Sequence, residues 1–297
     1  MSIRLGINPL SWTNDDLPTL GDETPLETCL RESREAGFEG VELGRKFPRT
    51  AEQLKPLLEV DDLALASGWY SSHLLEHSVE QELQLLEPHL RLLKAFNVTA
   101  MVFCDTSRCV HLDQQCPLSQ RPRMSDEEWQ GFCADLEVMA RHLADHGIAL
   151  AYHHHMGTVV QSGDDIDRLM ENTSDQVGLL LDTGHCAFAG VSPQRVAEQW
   201  GARVRHLHCK NVRLPIVTES RNRDFSFLNA VLSGVFTVPG DGDLEFDEIF
   251  AALEKHHYSG WAICEAEQDP AVAPSLRYAR KAHQFLTQQL QLTRSPA

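Results

Sequence analysis

Two periods of apolar residues alternate along the chain. Short runs rich in β-branched, leucine and aromatic residues fall at Ile3 to Asn8, Gly40 to Leu43, Leu63 to Trp69, Thr99 to Cys104, Ile148 to His155, Val177 to Asp182, Val204 to Lys210 and Trp261 to Glu267. Between them lie longer stretches with apolar residues three and four apart. That alternation predicts parallel strands joined by crossover helices. About eight such strands is what a (β/α)8 barrel requires, so the expected fold is an α/β TIM barrel. No linker, charge block or repeat beyond the βα period interrupts the pattern, which favours one domain over residues 1–297.

The punctuation fits. Thr24-Pro25-Leu26-Glu27 reads as a cap, an N1 proline and an acidic first turn, stopped at Gly37. Ser125-Asp126-Glu127-Glu128 opens a helix whose stripe is Phe132, Leu136, Met139 and Leu143, closed by Gly147. Ser192-Pro193 opens another that ends near Gly201, and a last helix is expected from about Pro274 to Leu292, with the tail 293–297 frayed. Two connections are long for this architecture, Thr106 to Met124 and Leu214 to Leu244. Loops that follow strands cover the active face of a barrel, so both are expected as lids.

Composition narrows the function. The formal charge of −17 at pH 7 disfavours phosphate backbones and anionic lipid, so neither a nucleic acid nor a membrane is expected as partner. The start lacks a signal-peptide h-region and no long apolar window follows, so the expected location is the cytoplasm. Eight scattered cysteines without C-x-x-C spacing read as reduced thiols. Oligomeric state leaves no mark in the sequence, and a homo-oligomer is the general prior. Fifteen histidines, several of them in strand-like runs, are the first functional signal.

In Tyr152-His153-His154-His155-Met156-Gly157-Thr158 the strand alternation puts His153 and His155 on one face and His154 on the other. The apolar run to Leu181 ends on Asp182, with His185 three residues on; a carboxylate there could be only a cap, but beside an imidazole it suits a divalent cation. The run Val204-Arg205-His206-Leu207-His208-Cys209-Lys210 gives His206, His208 and Lys210 a common face. His206, the deepest, reads as a hydrogen-bonded core histidine, His208 as a ligand, and Lys210 as a rim cation for an oxyanion or a proton; Cys209 faces the helices. The last strand ends with Glu265 and Glu267, costly inside a barrel unless paired or metal-bound. Together His153, Asp182, His208 and Glu265 form a mixed nitrogen and oxygen set suited to Mn, Co, Fe or Zn, with His155 the alternative imidazole. Glu42, Trp69 and Arg213 are candidate substrate contacts at the mouth, with a core ring the alternative for Trp69 and a surface carboxylate partner for Arg213, and Glu267 reads as a substrate contact, a group behind the ligands or a rim charge. No phosphate loop, dinucleotide fingerprint or nucleophile elbow is present.

These motifs resemble the xylose-isomerase-like TIM-barrel superfamily over essentially the whole chain. Many members carry a glutamate ligand on the strand of the triple histidine; alignment on the downstream threonine puts His153 there. Tyr-His-His-His-Met-Gly-Thr-Val-Val-Gln, Leu-Asp-Thr-Gly-His, His-Leu-His-Cys-Lys-Asn-Val-Arg, Val-Pro-Gly-Asp-Gly, Cys-Glu-Ala-Glu-Gln-Asp-Pro and the N-terminal Gly6-Ile7-Asn8-Pro9-Leu10-Ser11-Trp12 are similar to the inosose dehydratase family within it. The resemblance implies a small-molecule cyclitol ketone, 2-keto-myo-inositol, losing water to give a trihydroxycyclohexane-1,2-dione, with manganese or cobalt and with glutathione. On that chemistry His155 is the expected base, His185 the acid and Lys210 the oxyanion holder. The rival class is a metal-dependent ketose isomerase or epimerase, which shares the enediolate; a non-catalytic sugar-binding module is a further alternative, opposed by the inward charges.

Overall fold

The computed structural model describes residues 2–294. Eight strands close a barrel: β1 (Ile3–Ile7), β2 (Gly40–Leu43), β3 (Ala64–Ser72), β4 (Ala100–Asp105), β5 (Ala149–His153), β6 (Val177–Asp182), β7 (Val204–Cys209) and β10 (Gly260–Cys264). All neighbouring pairs are parallel, and β10 sits between β7 and β1. A two-stranded antiparallel ribbon, β8 (Asn211–Val212) with β9 (Phe236–Thr237), lies outside the barrel. The expected TIM barrel is therefore present.

The helices are α1 (Leu26–Ala36), α2 (Ala51–Val60), α3 (Val79–Ala95), α4 (Asp126–Asp145), α5 (Gly163–Glu171), α6 (Thr183–Ala189), α7 (Pro193–Trp200), α8 (Leu214–Asn222), α9 (Phe227–Leu232), α10 (Asp247–Lys255) and α11 (Ser275–Arg294). Ser125 caps α4 in a full capping box with Glu128, and Phe132, Leu136, Met139 and Leu143 are all buried against the strands. Pro25 differs from expectation: it is itself the cap of α1, in an extended conformation, and its carbonyl accepts from Thr28 and Cys29. Of the tail expected to fray, Thr293 and Arg294 belong to α11 and residues 295–297 lie outside the described residues. Among the described residues no helix is long and apolar enough to cross a membrane.

Inside the barrel the lower end is filled by Trp261 and Ile263. A side chain on Gly40 would lie 2.6 Å from the Trp261 ring, and one on Gly6 the same distance from Ile263, which is why both positions are glycine. Above them a small apolar layer of Val102, Ala151 and Leu180 forms the base on which the polar upper end rests.

Both long connections fold over the C-terminal end. The 106–124 segment carries a short 3-10 turn at Leu118–Gln120, and the second contains α8, α9 and β9. They are tied together: Leu118 N–H donates to Phe225 O at 3.1 Å, Ser119 Oγ to Asp224 at 2.5 Å, and Gln114 to Asn229 at 2.9 Å.

Candidate metal centre and active site

Parallel register sets the geometry. Asp182 and His208 are Cα partners across β6 and β7, His153 ends β5 on the other side of β6, and Glu265 directly follows β10 on the far side of β7. Their four ligand atoms lie within 4.8 Å of one another, and all four residues are buried. Asp182 Oδ2 is 3.6 Å from both His153 Nε2 and His208 Nδ1, and His208 Nδ1 is 3.2 Å from Glu265 Oε2. Asp182 Oδ2 and His208 Nδ1 are buried without a hydrogen-bond partner. Separations of this size are the edges of a polyhedron about an ion whose bonds to N and O are about 2.1 Å. The residues present therefore fit a divalent cation, as four donors aimed at one point.

Surrounding groups orient those donors. His153 Nδ1 donates to the carbonyl of its neighbour His154 at 2.7 Å, leaving Nε2 bare toward the centre. His208 Nε2 donates to Glu42 at 3.2 Å, which leaves Nδ1 free. His206 Nε2 donates to the same Glu42 oxygen at 2.7 Å, the hydrogen-bonded core role expected of it. Asp182 Oδ1 accepts the His185 N–H at 2.8 Å as the cap of α6, so only Oδ2 is spare. Glu42, expected to meet substrate, does line the cavity, but its carboxylate is engaged by these two imidazoles.

Lys210 departs most from expectation. Instead of standing exposed at the rim it is fully buried beside the four donors, with Nζ 2.7 Å from Glu265, 2.7 Å from Glu267 and 3.4 Å from Asp182. Burial works against its charge, but these carboxylates outweigh it and hold the ammonium well above its ordinary pKa. Asp182 and Glu265 are held below theirs despite burial, the first chiefly by Lys210 and the second chiefly by His208. Glu267 is different: burial pushes it up to about 7. The Leu-Asp-Thr-Gly-His turn makes this possible. Thr183 Oγ1 donates to the Lys210 carbonyl and accepts its N–H, and a side chain on Gly184 would stand 2.5 Å from the lysine stem.

A cavity of about 260 Å³ reaches three of the four donors, His153, His208 and Glu265, and is lined also by Asn8, Asp16, Trp69, His155 and Glu267. β5 stops at His153, so His155 lies in the following turn and not in the strand; it nevertheless reaches the cavity. Its Nδ1 donates to Met156 O at 2.8 Å, and burial, reinforced by His111 and His153, keeps the ring neutral. Trp69 meets the His153 and His155 rings edge-on at 5.3 and 5.8 Å. His185 stands behind His155, ring centroids 3.9 Å apart, against Phe227, and does not line the cavity. His154 points outward to Cys186, and Cys209 lies in the outer core.

Arg213 is a correction. The barrel strand ends at Cys209 and the chain turns into the β8–β9 ribbon, which carries Arg213 away from the cavity. Its guanidinium is consumed by Gly234 O, Phe236 O, Thr237 and Asp241. Sequence reasoning gave no role to Asn8, Asp16 and His111; Asn8 directly follows β1, and Asp16 and His111 come from loops with no periodic signal. Asp16 hangs over the cavity with its pKa pushed up to about 8 by burial and by Glu267.

A closed parallel barrel with buried His, Asp and Glu side chains gathered at the C-terminal ends of its strands is an α/β barrel with a candidate metal site, and comparison with known proteins places it further. The xylose isomerase-like TIM barrel family model matches residues 30–289, and the chain belongs to that family. Within it, rhizopine catabolism protein MocC of Rhizobium meliloti is 46% identical over 286 residues, covering 96% of this chain and 88% of that one. An inosose dehydratase of Geobacillus thermodenitrificans is 40% identical over 286 residues, 96% of each chain. Among solved structures, an L-ribulose 3-epimerase superposes with a TM-score of 0.69 at 15% identity, over 98% of this chain and 96% of that one, a likeness of fold.

Proposed function

We propose that this protein is a hydro-lyase acting on an inosose, removing water from 2-keto-myo-inositol to give a trihydroxycyclohexane-1,2-dione. His153, Asp182, His208 and Glu265 would hold the divalent ion of this reaction. The observation that carries the chemistry is the convergence of these four donors within 4.8 Å of one another, three of them lining a cavity that His155 also lines. The substrate is argued from near full-length relatives named inosose dehydratase.

An ion bound there supplies Lewis acidity to a carbonyl and its neighbouring hydroxyl. The chain does the rest. His155, its Nδ1 proton committed to Met156 O, presents a bare Nε2 that takes the proton α to the ketone. Glu267, with a pKa near 7, carries a proton to the departing β-hydroxyl, a role the position of His185 leaves open, and Lys210 fixes the carboxyl at 2.7 Å. Breaking the C–H and C–OH bonds leaves an enol and one water; the enol then tautomerises to the diketone. Trp69 offers an aromatic wall beside the ring.

The deciding assay uses chelated protein reloaded with manganese or cobalt and given 2-keto-myo-inositol or common ketohexoses. Water loss from the cyclitol alone is expected; epimer formation without water loss would instead establish the isomerase or epimerase reading. Glutathione is tested by omission, and an unchanged rate removes it from the reaction. His155→Ala is expected to lower turnover about 10²- to 10⁴-fold with bound metal unchanged. Near wild-type turnover would reject His155 as the base.

A further inference from the structure

The Gly6-Ile7-Asn8-Pro9 segment has no place in the chemistry above, yet it puts one amide between two carboxylates of the site. Asn8 Nδ2 donates to Glu42 Oε2 at 2.9 Å and to Glu265 Oε2 at 2.9 Å, residues 34 and 257 positions away. The amide cannot turn over without loss. Its Oδ1 accepts the Leu10 N–H at 3.0 Å, capping the short turn Pro9–Ser11, so the two N–H groups must face the carboxylates. The backbone is anchored too, because Asn8 N–H donates to Cys264 O at 2.9 Å, the residue before Glu265.

The two carboxylates differ in task. Glu265 is one of the four converging donors, while Glu42 receives the Nε2 proton of His208 and so turns His208 Nδ1 toward the ion. Without a donor between them, two anions this close repel and swing apart, and both an oxygen and a nitrogen donor lose their aim. We infer that Asn8 is a positioning residue for the metal centre, a single side chain that sets a direct ligand and the partner of another. The inference rests on reading the four-donor cluster as a metal site.

The test separates the two donors from the cap. Asn8→Ala removes both functions. Asn8→Ser keeps a short oxygen acceptor able to cap Leu10 but cannot span two carboxylates. Affinity for manganese or cobalt is measured by competition with a chromophoric chelator, alongside thermal unfolding of the metal-free chains. Both variants are expected to bind the ion about 10- to 100-fold more weakly than wild type, the usual effect of losing a partner of a metal ligand. Metal-free Asn8→Ser should unfold near the wild-type temperature. Recovery of wild-type affinity in Asn8→Ser would show that the cap alone matters and overturn the inference, as would unchanged affinity in both variants. A wild-type chain that takes up no ion would overturn the metal reading itself, a separate and recognisable result.

Discussion

Asp182→Asn is expected to yield a folded barrel that no longer retains its ion and turns over its substrate at least about 10³-fold more slowly. The substitution is nearly isosteric and keeps the Oδ1 acceptor that caps α6 through the His185 N–H. What it removes is the spare anionic oxygen, Oδ2, placed 3.6 Å from each of two imidazole nitrogens. In its stead an amide N–H₂ points into a cluster of donors and repels a cation. Losing about 4 kcal/mol of Lewis-acid stabilisation at the transition state corresponds to about 10³ in rate. Metal content per chain and turnover, measured on the same sample, check it. A variant with a full complement of metal and wild-type turnover would remove Asp182 from the site.

Lys210→Met is expected to have the largest effect on stability. The wild-type ammonium contacts Asp182, Glu265 and Glu267, and all four residues are buried. Removing one member of a buried charge cluster costs roughly 3–5 kcal/mol, because the remaining charges stay out of water without compensation. Urea unfolding of the chelated variant should show that loss, and added metal should restore part of it by binding only the folded chain. The pH dependence has a definite sign. A carboxyl raised on folding, as Glu267 is from 4.5 to about 7, loses stability as pH climbs between those values. Without the ammonium its folded pKa rises further and the loss continues above 7, so the deficit of the variant widens with increasing pH. Equal stability of the two chelated proteins would show that Lys210 does not balance the cluster.

The contrast between these residues shows what periodicity conveys. His153, Asp182 and His208 sit on strands, where a period of two fixes the face and the parallel register fixes the height, so their convergence follows from spacing. Lys210 and Glu267 have the expected inward direction but not the expected depth. Each lies one to three residues past the last paired position, where the chain curls over the barrel end and spacing along a strand no longer measures height. Arg213 fails for a plainer reason: it follows a two-residue strand, β8, whose partner β9 lies more than twenty residues on, and so brief a ribbon has no sequence period. Asn8 and Asp16 act from turns held by side-chain to backbone hydrogen bonds, which depend on tertiary neighbours.

The clasp between the 106–124 segment and the α8–α9 region closes one side of the basin above the donors, with Phe227 and His111 packed on His155. Of the cavity-lining residues that face water, Leu112 belongs to that clasp, while Asp15, Arg49 and Ser71 come from other segments. Asp15 and Arg49 thus put both signs of charge at the water-facing edge of the basin. A hydroxyl-bearing molecule crossing that edge can trade water for a carboxylate and a guanidinium, so substitutions at Asp15 or Arg49 are expected to shift KM more than kcat.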